Sequence, residues 1–198
     1  MGLTIHYSGR FNPEASLESL IGECLEFANV FHWDYHIFER EFPEIPFPDD
    51  YNDNIYGIAI SPPDCEPLWF SFLSNGKMSG PAQLQFFGKN SEKEDLSFLY
   101  NLFTKTQFAG PEIHMLVIEI FRHISKNYLL DFTMTDEGKY WETGNRRELE
   151  RIFKQYNFLL DMFEEGLKHL KPNEGESLQQ MIERIAGAIH SDYRKRKF

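Results

Sequence analysis

The stretch Gly110–Tyr128, GPEIHMLVIEIFRHISKNY, limits the fold more than any other part of the chain. Ile113, Leu116, Val117, Ile120, Phe121 and Ile124 recur at helical spacing, Met115 and Ile118 widen that face, and Pro111 suits a first helical turn. A helix this apolar has to be covered on most of its sides. The neighbouring sequence must therefore supply a sheet or further helices to lie against it.

Strand signals are plentiful. Leu3, Ile5 and Tyr7 alternate with Thr4, His6 and Ser8, the period of a half-buried strand. Next, NPEASLESLIGECLEFANVF reads as an amphipathic helix with Asn12 as N-cap and Pro13 at its first position. Its apolar stripe is Leu17, Leu20, Ile21, Cys24, Leu25, Ala28 and Phe31. WDYHIFEREF alternates as a strand, and PEIPFPDDYNDN is a loop by its prolines and its acidic and amide residues. IYGIAIS and PLWFSFLS flank the turn PPDCE, and NGKMSGP is a second turn before the run AQLQFF. The middle third thus reads as an antiparallel meander.

From Asp95 the pattern becomes helical, first over DLSFLYNLF and then over the apolar helix. LLDFTMTDEGKYWET returns to strand. With Glu137 and Gly138 as loop residues of a hairpin, Asp136 faces Lys139, Met134 faces Trp141 and Phe132 faces Thr143. Phe132, Met134 and Trp141 then share an apolar face, while Thr133, Thr135, Tyr140 and Glu142 share the polar one. Asn145 and Glu148 form a capping box for a long helix with the stripe Leu149, Ile152, Phe153, Tyr156, Leu159, Leu160, Phe163 and Leu167. KPNEGES breaks the chain. Ser177 and Gln180 cap a last helix carrying Leu178, Met181, Ile182, Ile185 and Ile189, and the tail RKRKF reads as a solvated terminus. The expected fold is α+β, a mainly antiparallel sheet packed with helices and bearing a C-terminal helical extension. The domain expectation is one α+β domain over 1–170, with 171–198 as a linker and helix packed on or flanking it.

A formal net charge of −11 disfavours nucleic acid, whose phosphates need clustered Lys and Arg. It suits a basic protein partner or a cationic ligand. The two cysteines, Cys24 and Cys65, make neither a disulfide framework nor a zinc site and read as free thiols of a reducing compartment. No apolar stretch approaches the roughly 20 residues that span a bilayer. MGLTIHYSG lacks a basic region followed by an apolar run, and His6 stands where a myristoylation signal has Ser or Thr. A cytoplasmic protein is the expectation.

MGLTIHY, then KTQFAG at Lys105–Gly110, then a histidine-bearing helix, then DEGKYWET at Asp136–Thr143 together resemble a family of bacterial proteins of uncharacterised function. The resemblance implies that these segments belong together in one kind of protein. It implies no activity.

Several residues are candidates for a site. Lys105, Thr106 and Gln107 precede a helix whose free N–H groups and dipole favour an anion, without the glycine spacing of a phosphate loop. His114 sits in the first turns of the apolar helix, where a buried imidazole needs a partner. Beside Glu142 or Asp136 it would be oriented as a general base. Asp136, Glu137 and Glu142 offer hard oxygen ligands of the kind magnesium takes, but a tight turn explains them without a metal. His32 and His36 have the interval of a helical zinc pair, yet lie where Trp33, Tyr35 and Ile37 argue for a strand. Glu119 and His123 read as an exposed helix face. No cofactor is expected.

Two functions follow. The favoured one is an acidic protein-interaction or binding module. The other is an enzyme or a binder of a small anionic ligand, with Lys105, Gln107, His114, Tyr140 and Glu142 around one cleft.

Overall fold

The computed structural model describes residues 2–43, 47, 49–88, 96–169, 175–177, 179–184 and 186–187. The expected break at 171–174, the apolar positions Leu178, Ile185 and Ile189, the side chain of Leu167, the helix start at Asp95, parts of the loop at 44–46 and 48, and the basic tail 194–198 lie outside the described residues. The chain divides into two compact units, Met1–Leu149 and Glu150–Phe198.

The first unit is α+β, as its mixture of periods predicts. Its strands are β1 (Thr4–Phe11), β2 (Asp34–Ile37), β3 (Tyr56–Ser61), β4 (Leu68–Phe72), β5 (Leu102–Lys105) and β6 (Leu129–Asp136). Its helices are α1 (Leu17–Phe31), α2 (Pro81–Phe87), α3 (Leu96–Leu99), α4 (Gly110–Tyr128) and the single turn α5 (Tyr140–Thr143). The pairing is antiparallel throughout the named strands and divides into two three-stranded sheets, ordered β5-β1-β6 and β2-β3-β4.

The turn Ser74–Ser79 connects the sheets. Leu73 N–H donates to Lys77 O and Ser79 N–H to Ser71 O, closing the turn on β4. Met78 N–H donates to Gly9 O at 3.0 Å and Phe11 N–H to Gly76 O at 2.7 Å, which tie the same turn to β1. The Tyr7 hydroxyl adds a side-chain link, accepting from Trp69 N–H at 3.0 Å and lying 3.2 Å from Thr104 Oγ1.

One core runs beneath both sheets. Ile5 and Tyr7 of β1, Ile58 and Ile60 of β3, Phe70 and Phe72 of β4, Leu20, Ile21 and Cys24 of α1, and Val117, Phe121 and Ile124 of α4 are all buried in it. Phe121 is at its centre, with ring centroids 4.5 Å from Tyr7, 4.9 Å from Phe70 and 6.1 Å from Phe132. The apolar helix α4 is thus covered by strands of both sheets, and each such ring contact adds to the area it buries.

Four local readings need correction. Asn12 accepts from Glu14 N–H in a turn, and α1 begins at Leu17 with Ser16 accepting from Ser19 N–H at 3.2 Å, so Ser16 is the N-cap. AQLQFF is not a strand. Pro81 opens a helical turn that directs Gln83 and, three residues apart, Leu84 and Phe87 inward, and the last two pack on Tyr51, Leu73 and Leu99. The expected helix over DLSFLYNLF is, in its described part, the short α3 followed by β5, where Leu102 and Thr104 are buried and Phe103 is 47% exposed, a two-residue period. The hairpin does not form. β6 pairs with β1, with Tyr7 opposite Met134, and Tyr140–Thr143 coils into α5. The rings of Phe132 and Trp141 nevertheless meet, at 5.8 Å.

The helix α6 (Arg146–His169) starts in the first unit and continues into the second. Asn145 Oδ1 accepts from Arg147 N–H at 3.1 Å and Glu148 N–H at 3.2 Å, the N-cap half of the expected box; the reciprocal half is replaced, since Asn145 N–H donates to Thr143 Oγ1 at 3.1 Å. In the second unit Ile152 and Phe153 are buried. Ser177 and Gln180 form the reciprocal capping box, each side-chain oxygen accepting from the other's backbone N–H. Among the described residues no helix is long and apolar enough to cross a membrane.

Gly57 has φ +111°, and a Cβ there would stand 2.3 Å from Phe70 O. Gly57→Ala is expected to destabilise the first unit by about 3 kcal/mol, against about 1 kcal/mol for Ser16→Ala. Urea unfolding of both variants checks the order.

Candidate functional site

The segments that frame His114 meet at the beginning of β1. Leu3 N–H donates to Gln107 Oε1 at 2.9 Å, Thr106 N–H donates to Leu3 O at 2.9 Å, and Thr4 N–H donates to Glu137 Oε2 at 2.9 Å. The strand is therefore held by the KTQF turn on one side and the DEGK turn on the other. His114, from the first turns of α4, lies between them. Thr106 Oγ1 is 2.7 Å from its Nδ1, and Asp136 Oδ2 is 3.1 Å from its Nε2.

Asp136 ends β6 and organises the turn that follows. Its Oδ1 accepts from Gly138 N–H at 2.7 Å, and its Oδ2 accepts from Tyr140 N–H at 2.7 Å and Trp141 N–H at 3.0 Å. These contacts cap α5 and explain why YWET coils instead of returning as a strand. Gly138 is required by proximity: a Cβ there would stand 2.8 Å from His114 Nε2 and 2.7 Å from Leu149 Cδ1. Lys139 takes the left-handed conformation that completes the turn, at φ 58°.

The electrostatics follow from this donor set. Burial pushes the Asp136 carboxyl up. The hydrogen bond from His114, its charge, and the backbone N–H groups of Trp141 and Gly138 outweigh burial and hold the carboxyl below its ordinary range. An ionised carboxylate only accepts, so His114 Nε2 carries a proton and donates to it. The side chains of His114 and Asp136 are both 0% exposed. Thr106, His114 and Asp136 have the order of a hydroxyl–imidazole–carboxylate relay, but the hydroxyl faces the protein interior.

The five candidate residues fall as follows. Gln107 and His114 are buried in this cluster, and Glu142 reaches it from the surface, accepting from Asp136 N–H at 3.1 Å. Tyr140 joins through its backbone; its ring lies 5.5 Å from the Arg122 guanidinium. Lys105 is half-buried at the end of β5, its N–H donating to Glu66 Oε2 at 2.9 Å and its stem lying beside Gly2.

Arg122 belongs with these residues although no local sequence signal singles it out. It donates to the carbonyls of Tyr140 at 3.1 Å and Trp141 at 2.9 Å, so α4 grips the α5 turn twice, through His114 and through Arg122. Among the described residues, no three His, Cys, Asp or Glu side chains gather as a metal-binding group. Burial pushes the Cys65 thiol up to about 12 and raises that of Cys24 further, away from nucleophilic use.

The clefts lie elsewhere. One of about 440 Å³ runs between α1 and α4. Phe27, Val30 and Phe31 form one wall and Leu116 and Ile120 the other, with Glu26 and Glu119 at the margins. His123 lies at one side, 2.6 Å from Glu23 Oε2, and Tyr128 donates to Glu23 Oε1 at 2.6 Å, so this pair of helices is pinned by polar contacts. A second cleft, of about 490 Å³, is polar and open, around His36, Glu39 and Asp53.

Comparison with protein-family models, with curated protein sequences and with solved structures finds no match to this chain. The functional reading therefore rests on geometry alone.

Asp136→Asn turns an amide N–H₂ toward backbone donors whichever way it is placed, and is expected to cost about 3 kcal/mol. Because the folded carboxyl is depressed, its stabilisation is complete above the unfolded-state carboxyl range and is lost as pH falls through the lower folded value. The gap between wild type and variant in urea unfolding should therefore be wide at neutral pH and close on strong acidification.

Proposed function

We propose that this chain is an acidic docking module that receives an apolar segment of a protein partner in the cleft between α1 and α4. One observation carries the reading. Val30 is 70% exposed and Phe31 40% exposed beside Phe27 and Leu116, an apolar surface on two helices joined through Glu23, with carboxylates at its margins. Contiguous exposed apolar surface of this kind marks interaction sites more often than it serves the monomer. Fully burying a Val or Phe side chain contributes roughly 1.5–3 kcal/mol, so these residues supply a useful part of an association energy.

The chain's net charge of −11 favours a basic partner and speeds its encounter. A catalytic or anion-binding site around Lys105, His114 and Glu142 takes second place. Its central imidazole is 0% exposed, and both ring nitrogens are engaged by Thr106 and Asp136. Such a cluster serves to fix α4 against β1 and β6.

Affinity capture from the cells that express the protein tests the reading when run with three baits. These are the wild type, Val30→Gln in the cleft, and Phe103→Ser on the exposed face of β5. The expected outcome is a protein retained by wild type and by Phe103→Ser and lost with Val30→Gln. Equal retention by all three baits, or by none, contradicts it.

A further inference from the structure

The docking reading leaves the chemistry of the partner open, and the cleft narrows it. Both walls are helix flanks: Phe27 and Val30 project from α1, Leu116 and Ile120 from α4. They present side chains and no sheet edge. An extended segment laid between them would bury backbone N–H and C=O groups with nothing to pair with, whereas a helix satisfies its own backbone. Residues three and four apart on each wall also offer the ridges and grooves into which a third helix packs.

The margins carry charge. Glu26 is on the rim of α1 and Glu119 on that of α4, and Glu23 lies beyond His123 at one side. Arg122 pairs with Glu119 at 2.7 Å and donates to two α5 carbonyls, and the His123 ring is hydrogen-bonded to Glu23 at 2.6 Å, so Glu119 and Glu23 already have partners within the protein. Glu26 has no ion pair among the described residues. A helix seated on this floor would bring residues flanking its apolar stripe against carboxylates, in a chain that is strongly acidic as a whole.

From this, and resting on the docking reading above, we infer that the cleft takes a cationic amphipathic helix, with leucine-like side chains on the floor formed by Val30 and Leu116 and a Lys or Arg beside Glu26, the rim carboxylate without an ion pair among the described residues. The mode is helix-in-groove recognition, with charge setting partner choice and encounter rate more than affinity.

The test uses the full chain and two synthetic peptides of about 18 residues, long enough for five helical turns. Both carry leucines at i, i+3, i+4 and i+7 spacing on an alanine background; one has lysines on the flanks, the other glutamates. Titration calorimetry should show the lysine peptide binding, with affinity reduced about tenfold by Val30→Gln and a few-fold, with a shallower salt dependence, by Glu26→Gln. Equal binding of both peptides would keep the docking cleft and overturn the cationic partner. Lysine-peptide binding that ignores Val30→Gln would be general attraction to an acidic protein and overturns the assignment to this cleft. Binding of neither peptide overturns the inference, and the capture experiment then decides separately whether a docking surface exists. Dimerisation of the chain alone that Val30→Gln abolishes, seen in sedimentation, would make the occupant a second copy and overturn it likewise.

Discussion

The carboxylate of Asp136 is the group on which the arrangement of the first unit turns. It accepts from the backbone of Gly138, Tyr140 and Trp141 and from the His114 ring, all within 3.1 Å. Its strand position is set by pairing with Ile5 of β1, and its helical partner sits on α4. One side chain therefore joins a strand end, a tight turn and the start of the central helix. Burying a charge is unfavourable unless its partners are well placed, so a small displacement at any of these elements is felt at the others.

That coupling bears on the cleft proposed as a docking surface. α4 is gripped near its beginning by Asp136 through His114, in its middle by the core around Phe121, and across its exposed side by Arg122 on the α5 carbonyls. Its outer face is left to meet α1, where Glu23 bridges to His123 and Tyr128. Helices held by these contacts would lower the ordering cost of the proposed association.

The elements visible in the sequence are those whose residues answer to one local period. β1 shows its alternation because Leu3, Ile5 and Tyr7 face the core while His6 faces solvent, and α4 shows its stripe for the same reason. Capping by Asn145, Ser177 and Gln180 is legible because it acts within one turn. AQLQFF misleads because a short apolar run reads equally as strand or helix until Pro81 and the cluster around Tyr51 decide it. The hairpin expectation fails because β6 finds its partner far away in β1, and Asp136 bends the following residues into α5. Thr106 and Asp136 meet His114 only through tertiary packing. Sequence separation hides such a cluster, although a buried histidine in an apolar helix does announce that it needs partners.

The claim that this cluster is a sealed structural brace, and not an open site, is most directly tested by carbon-13 NMR of the Asp136 side-chain carboxyl across a pH titration. Asp136→Asn assigns the signal if the variant folds, and sequential assignment does so otherwise. The account predicts a carboxyl that stays ionised through the ordinary carboxylate range, titrates only below it, and does not move when inorganic phosphate is added at neutral pH. A carboxyl that titrates at or above the ordinary range, or that shifts on addition of phosphate, would contradict it.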